Sequence, residues 1–335
     1  MLVGAFGPNT PIFHVACQIY NVILEEKIGP VIRVGMPGFE EFRDFIIENK
    51  KSHIFYTSNT PAEYVLEVMR RSGIQRVVFT QTGADVISGL MAAHNTDFIS
   101  AARMQASHYV SLDPLMKDPQ VSFISCASAS ASVDGLIEAL AKLVELPLTP
   151  ARMDQLRQKI GISRPGMMLR EFAWGDRIAE LERIKREVLE PSEIEVSEIA
   201  FPTRQSIEEA GWCWPGRLFY GPSTEVTGDK PIALLGKSRT LFFGPFMCLP
   251  AGNWRASYHL NVARNWAGNT VLADIQGNLV VLAVGKLPLP KEGSFEFSLD
   301  FKVESSTMPL EIRLHTLEGA IGGYLELVDL RLTRV

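Results

Sequence analysis

The hydrophobic period of this chain changes part-way along, from about 3.6 residues to 2, and that change confines it to two dissimilar parts. In Phe295-Glu-Phe-Ser-Leu-Asp-Phe-Lys-Val303 every odd position is apolar and every even one polar. Trp254, Ala256, Tyr258, Leu260 and Val262 alternate in the same way with Arg255, Ser257, His259 and Asn261. Leu310, Ile312 and Leu314 alternate with Glu311, Arg313 and His315. Successive side chains of a strand point to opposite faces, so each segment offers one face to a core and one to water. Short alternating strands separated by Gly and Pro turns predict an antiparallel, jelly-roll-like β-sandwich over residues 226–335.

The first half reads differently. Residues 2–6 are a short apolar run ending in Gly7-Pro8-Asn9-Thr10-Pro11, and helical spacing follows to about Glu26. Strands are predicted at Val31–Val34, Ser52–Tyr56, Val77–Thr80 and Val121–Ser125. Helices are predicted at Phe39–Asn49, at Pro61–Ser72 with Thr60 as cap, and at Asp85–His94, Val133–Val144 and Pro150–Ile160. Strands alternating with helices imply a parallel sheet covered on both faces. The chain thus divides into an α/β domain over 1–165, a helical and irregular connector over 166–225, and the sandwich.

Composition narrows the function. The 335 residues are 46% hydrophobic and 21% charged, enough for real cores, and the net charge of −5 with scattered Lys and Arg excludes a nucleic-acid footprint. Four cysteines far apart give no metal pair or disulfide framework. No histidine has metal-ligand spacing, and no run reaches the ~18 apolar residues of a membrane helix. With no secretory leader in view, the expectation is a cytoplasmic protein without a transmembrane segment.

A strand leading through a tight turn to a helix N-terminus is a natural anion site, and Gly7–Pro11 occupies that place. It has no GxxxxGK[ST], so no lysine reaches a phosphate. The alternative is a plain strand–helix turn. In order and spacing, residues 1–165 resemble the sulfotransferase family, a three-layer P-loop-like fold. The opening turn lies where that family binds a 5′-phosphosulfate. Lys51-Ser52-His53 is similar to the family's Lys-Thr-His, whose histidine is the base, and Gln81-Thr82-Gly83-Ala84-Asp85-Val86 lies at its Arg-Asp/Asn-Pro-Arg/Lys-Asp-Val. The resemblance implies His53 and Lys51 as catalytic residues, and Gly7, Asn9, Thr10, Gln81 and Ser88 around a sulfonated adenine nucleotide. Yet the family lysine falls on Gly7 and its phosphate-binding arginine on Gln81. A charge-assisted hydrogen bond contributes roughly 1.5–3 kcal/mol, so losing two or three removes several orders of magnitude in affinity. The expectation is therefore a degenerate domain with no cofactor, and His53 as an ordinary strand-end histidine. His14 reads as a core histidine. His94 and His108 receive no role, and the small-residue loop Ser125–Ser132 reads as a loop.

Residues 240–335 look like the carbohydrate-binding-module-like sandwich appended to bacterial glycosyltransferases. Gly244-Pro245-Phe246, Leu249-Pro250-Ala251-Gly252-Asn253-Trp254, Pro309-Leu310-Glu311-Ile312-Arg313 and Glu318-Gly319-Ala320-Ile321-Gly322-Gly323 carry that resemblance. Saccharide binding needs an exposed aromatic with planar polar groups around it. The candidates are Trp254, Tyr258, Trp266 and Tyr324, but alternation puts Trp254 and Tyr258 in the core. Trp266, in the polar loop Arg264–Asn269, becomes the platform, with Asn265, Arg255, His259 and Arg313 as polar contacts. Glu311 and Arg313 can equally be a cross-sheet ion pair. The leading expectation is a bacterial polysaccharide-associated binding or scaffolding protein whose partners are saccharides or polysaccharide-synthesis enzymes. An active saccharide sulfotransferase with His53 as base is the second reading, and a structural homo-oligomer the third.

Overall fold

A computed structural model describes residues 1–35, 39–116, 118–127, 131–189, 212–222 and 231–335. The chain divides into two compact units, Met1–Phe201 and Pro202–Val335.

The first unit runs β1 (Leu2–Phe6), α1 (Pro11–Ile28), β2 (Val31–Val34), α2 (Phe39–Glu48), β3 (His53–Ser58), α3 (Glu63–Arg71), β4 (Gln75–Thr80), α4 (Gly83–His94), α5 (Phe98–Met116), β5 (Val121–Ser125), α6 (Val133–Leu143), α7 (Pro150–Ile160), α8 (Leu169–Trp174) and α9 (Ile178–Ile184). The five strands form an all-parallel sheet in the order β2-β3-β1-β4-β5. Val3, Ala5, Phe55, Val77 and Phe79 point to one face and pack with α1 and α6–α9. On the other face, Tyr56 meets Phe42 of α2 edge-on and Gly4 lies against Met69 of α3. Strands buried on both faces need near-continuous apolar runs, which is what β1, β3 and β4 supply.

Two elements depart from the expectation. Helix α3 starts at Glu63 with Ala62 as its cap and no side-chain capping bond, because the Thr60 backbone N–H turns back to the Ser58 hydroxyl. The helix α5 has no counterpart in the sequence reading. Its buried face carries Gln105, His108 and Asp113 among Ala101, Ala102, Ala106 and Leu112, which hides the apolar stripe. The stretch expected as a connector is divided. Leu169, Trp174, Leu181 and Ile184 are buried in the core of the first unit, and Trp212–Pro215 is a strand of the second. Residues 128–130 of the small-residue loop, 190–211 and 223–225 of the connector, and 226–230 at the start of the expected sandwich lie outside the described residues.

The second unit contains β6 (Trp212–Pro215), β7 (Ile232–Ala233), β8 (Thr240–Cys248), β9 (Gly252–Ala263), β10 (Thr270–Gly277), β11 (Val280–Pro288), β12 (Gly293–Val303), β13 (Pro309–Thr316) and β14 (Tyr324–Arg334). One antiparallel sheet has the order β11-β10-β13-β8, and the other β12-β9-β14-β6 with β7 on β14. Alternation fixes the register. Trp254, Tyr258 and Leu260 of one sheet and Leu310, Ile312 and Leu314 of the other are all buried. Trp254 and Tyr258 are therefore core residues, as the pattern requires, and the Trp254 indole N–H donates to the Pro250 carbonyl at 2.8 Å. The chain is thus an α/β unit with a three-layer parallel sheet, followed by an antiparallel β-sandwich.

Candidate functional site

In the α/β unit the C-terminal ends of the strands form the edge where such sheets bind ligands. The turn Gly7–Thr10 lies there, between β1 and α1. A Cβ on Gly7 would stand 2.6 Å from the Phe13 ring and 2.9 Å from the Phe79 carbonyl, so only glycine lets β1 and β4 approach this closely. The Thr10 hydroxyl caps α1 by accepting from the Phe13 N–H at 3.2 Å. It also pairs with the Gln81 side chain, whose Nε2 donates to it at 2.7 Å. Sequence spacing thus brings Thr10 and Gln81 together, but the two are sealed, at 1% and 5% exposure. Ser88 turns its hydroxyl into its own helix, onto the Ala84 carbonyl at 2.6 Å. Gly89, one residue on, lies within contact distance of both Thr10 and Trp174. Asp85 is buried against Lys185 at 2.6 Å. The turn that would cradle an anion is filled by the protein's own side chains.

His53 stands at the other edge. It begins β3, where Ile54 pairs with Leu2, and its Nδ1 lies 3.3 Å from the Met1 amino group. Five residues of strand separate it from Ser58, beside Phe6, so it lies roughly 16 Å from the turn at ~3.3 Å per residue. His53 and Lys51 therefore cannot serve a ligand at Gly7–Thr10, which corrects the base assignment. Arg76, the arginine at the start of β4, is also at that far edge, bound to Asp118 at 2.6 Å and 1% exposed. His14 is exposed rather than core, and its Nε2 meets the Asn9 side-chain oxygen at 2.9 Å. The packing around its ring, then the Arg33 charge, hold it below the ordinary histidine range.

One histidine at the ligand edge escaped the sequence. His108 of α5 is 6% exposed, its Nε2 is 3.4 Å from the Asn59 side-chain nitrogen, and its Nδ1 has no partner among the described residues. Burial, and secondarily His94, push it down to about 4, so it is neutral at physiological pH. Among the described residues no cluster of three or more His, Cys, Asp or Glu can hold a metal, and no helix is long and apolar enough to cross a membrane.

In the sandwich, Trp266 is 69% exposed on the loop between β9 and β10. Asn265 beneath it is fully buried and satisfied on all sides. Its Nδ2 donates to the Leu289 and Pro290 carbonyls at 3.2 and 3.0 Å. Its Oδ1 accepts from the Asn269 backbone and side-chain nitrogens at 3.1 and 2.7 Å. Asn265 therefore has no group left for a ligand, and acts as the pin of the loop. Arg264, at the start of the loop, holds a left-handed φ of 56° and lines a hollow of about 410 Å³ with Tyr324, Asn261 and Glu326. The Asn261 amide donates to Glu326 at 2.9 Å, and the Tyr324 ring is 42% exposed.

The other expected polar contacts are dispersed. Arg255 is held by Asp300 at 2.7 and 3.0 Å on the outer face of the five-stranded sheet. His259 sits between Asp329 at 2.6 Å and Glu296 at 3.2 Å on that face. Both are consumed by cross-strand pairs. Arg313 lies on the opposite sheet, paired with Asp274 and not with Glu311. Asp274 was invisible in the sequence because only strand register shows which side chain it faces.

No protein-family model and no curated protein matches the sequence. Solved structures do. The N-terminal half aligns with a mouse sulfotransferase, SULT7A1, complexed with PAP, at 9% identity and a TM-score of 0.37, covering 47% of this chain and 63% of that one. The C-terminal part aligns with carbohydrate-binding modules. One is the C-terminal CBM6 of the laminarinase LamC from Zobellia galactanivorans, at 20% identity and a TM-score of 0.22, covering 30% of this chain and 74% of the module. Another is TmCBM61 in complex with β-1,4-galactotriose, at 13% identity and a TM-score of 0.24, covering 39% and 92%.

Proposed function

We propose that this chain is a saccharide-binding, polysaccharide-associated protein whose sandwich carries the ligand and whose α/β unit has lost group transfer. The observation that carries the reading is the Trp266 loop: an indole 69% exposed on a loop pinned by a fully buried asparagine. An exposed indole costs the fold solvation of a large apolar surface, and a loop with few conformers loses little entropy when a ligand stacks on it. The neighbouring hollow has the remaining parts. Tyr324 offers a second aromatic surface, the Arg264 guanidinium is a donor, and the Asn261–Glu326 pair offers an acceptor beside an amide. Aromatic rings take the C–H face of a pyranose while the polar groups take its hydroxyls.

The α/β unit supports the same reading from the other side. The turn carries no lysine or arginine, the Thr10 hydroxyl is buried and spent on capping α1, and His53 lies at the opposite edge of the sheet. A transferase would need that edge open and charged.

The test is direct binding. Titration of the chain with gluco-, galacto- and mannotetraose, followed by indole fluorescence, is expected to show saturable quenching that Trp266→Ala abolishes. Saturable binding unchanged in Trp266→Ala would remove the loop from the site.

A further inference from the structure

We infer that the end of the sandwich that carries Trp266 docks on the surface of an anionic lipid bilayer. Docking of this kind goes beyond the saccharide reading above and does not depend on it.

Four connections meet at that end: 234–239 before β8, 264–269 between β9 and β10, 289–292 between β11 and β12, and 317–323 between β13 and β14. Hydrogen bonds tie them into one piece. Gly236 and Ala320 exchange two backbone bonds, at 2.9 and 2.8 Å, and the Leu234 N–H donates to the Gly323 carbonyl at 2.8 Å. The Asn265 N–H donates to the Lys291 carbonyl at 2.9 Å, and the Asn269 side-chain amide to the Gly322 carbonyl at 2.9 Å. Arg239 fastens the first connection from within, through the Leu235 and Ala233 carbonyls.

Three large apolar side chains stand out from this fixed base. Ile321 is 84% exposed, Trp266 69% and Leu235 61%. Leu235 and Ile321 flank the bridge between Gly236 and Ala320, and Trp266 follows the buried Asn265. Large apolar groups gathered in solvent at one end of a domain mark an interaction surface. Around them the four connections carry Lys237, Arg239, Arg264 and Lys291 against Glu292 and Glu318, a positive end on a chain whose net charge is −5.

Those two properties together select the occupant. A saccharide stacks on the indole but gains nothing from Ile321 and Leu235. A second copy meeting this end about a two-fold axis would set Lys237, Arg264 and Lys291 against the same cations. The core of a protein interface is depleted of lysine and other charges, whereas here the charges alternate with the apolar tips. A bilayer accommodates both. Aliphatic tips enter the boundary between headgroups and acyl chains, while Lys and Arg beside them meet the phosphates of anionic lipids. An indole suits that depth, because its ring is apolar and its N–H stays wet. Connections already tied together lose little freedom on docking.

Cosedimentation of the intact chain with vesicles of phosphatidylcholine, alone or mixed with phosphatidylglycerol, tests this. Wild type is expected to bind the mixed vesicles at least about tenfold more tightly than the neutral ones, and to lose most of that preference at high salt. Ile321→Asp combined with Leu235→Asp is expected to weaken vesicle binding at least about tenfold. Both side chains lie in solvent, so its melting temperature and its tetraose titration are expected to match wild type. Lys237→Glu combined with Lys291→Glu is expected to abolish the preference for phosphatidylglycerol. Leu279→Asp, at the hairpin of the opposite end and 90% exposed, is expected to bind vesicles as wild type does. Vesicle binding without tetraose binding sustains the docking and removes only the saccharide reading. No binding of mixed vesicles by wild type overturns the docking, and so does equal binding by the folded Ile321→Asp, Leu235→Asp variant. Loss of binding in Leu279→Asp moves the contact to the other end and overturns it as well. A dimer in sedimentation equilibrium that Ile321→Asp disperses, with no vesicle binding, assigns this end to a second copy instead.

Discussion

Asn265→Ala separates a loop pin from a ligand contact, and its cost can be worked from the hydrogen bonds. The substitution removes four bonds from a residue with no exposed surface. At a net value of roughly 1 kcal/mol each, the loss is about 4 kcal/mol, and it rises if the Leu289 carbonyl stays dry. That is a large share of the roughly 5–15 kcal/mol that holds a domain folded. At ~4 °C per kcal/mol for a unit of this size, the sandwich is expected to melt about 15 °C lower. Trp266→Ala, one position away, removes a side chain that is mostly in solvent and is expected to move the melting temperature by less than ~2 °C. Differential scanning calorimetry of both variants reads this directly. Saccharide affinity is expected to fall in both, in Asn265→Ala because the platform is released and in Trp266→Ala because it is gone. An Asn265→Ala variant that melts within ~3 °C of wild type refutes the pin, and with it the claim that Trp266 is held ready for a ligand.

Three further outcomes follow from the α/β unit. His108 is pushed down to about 4 by burial, against an unfolded value of 6.5. Below pH 6.5 the unfolded chain takes up a proton that the folded one refuses, so stability falls as pH drops from 6.5 towards 4, by roughly 3 kcal/mol in all. Denaturant titrations of wild type and His108→Asn should show that slope in the first and its loss in the second; equal slopes would refute it. Asp118→Ala strands the Arg76 charge at 1% exposure and is expected to cost about 3–5 kcal/mol, measured by urea unfolding. Millimolar adenosine 3′,5′-bisphosphate is expected to leave the melting temperature unchanged, since the turn at Thr10 is closed; a rise of several degrees would show that the edge opens to nucleotide.

Much of the fold is written in the pattern of the chain. The alternation through Trp254–Val262 and Phe295–Val303 gave both the strands and the faces, since a one-residue slip would expose Trp254 and Tyr258. The parallel sheet followed from strand runs set between helices. The site was legible only in pieces. Trp266 stood out because it sits among Arg264, Asn265 and Asn269, but the same polarity that marked Asn265 as a contact is what pins it. Lys51-Ser52-His53 misled because a three-residue motif does not say which end of a strand it occupies, and in a parallel sheet that end decides access to the ligand edge. Helix α5 hid because His108, Gln105 and Asp113 interrupt its buried face. The Asp274 network could not be read at all, because a cross-strand partner depends on register between segments about forty positions apart.

The central claim is that a saccharide binds the sandwich at the Trp266 loop. The most direct test is titration of wild type and Trp266→Ala with gluco-, galacto- and mannotetraose by calorimetry. The account predicts saturable binding by wild type, weakened at least tenfold in Trp266→Ala with the melting temperature preserved. Absence of binding to wild type, or equal binding by the folded variant, would contradict it.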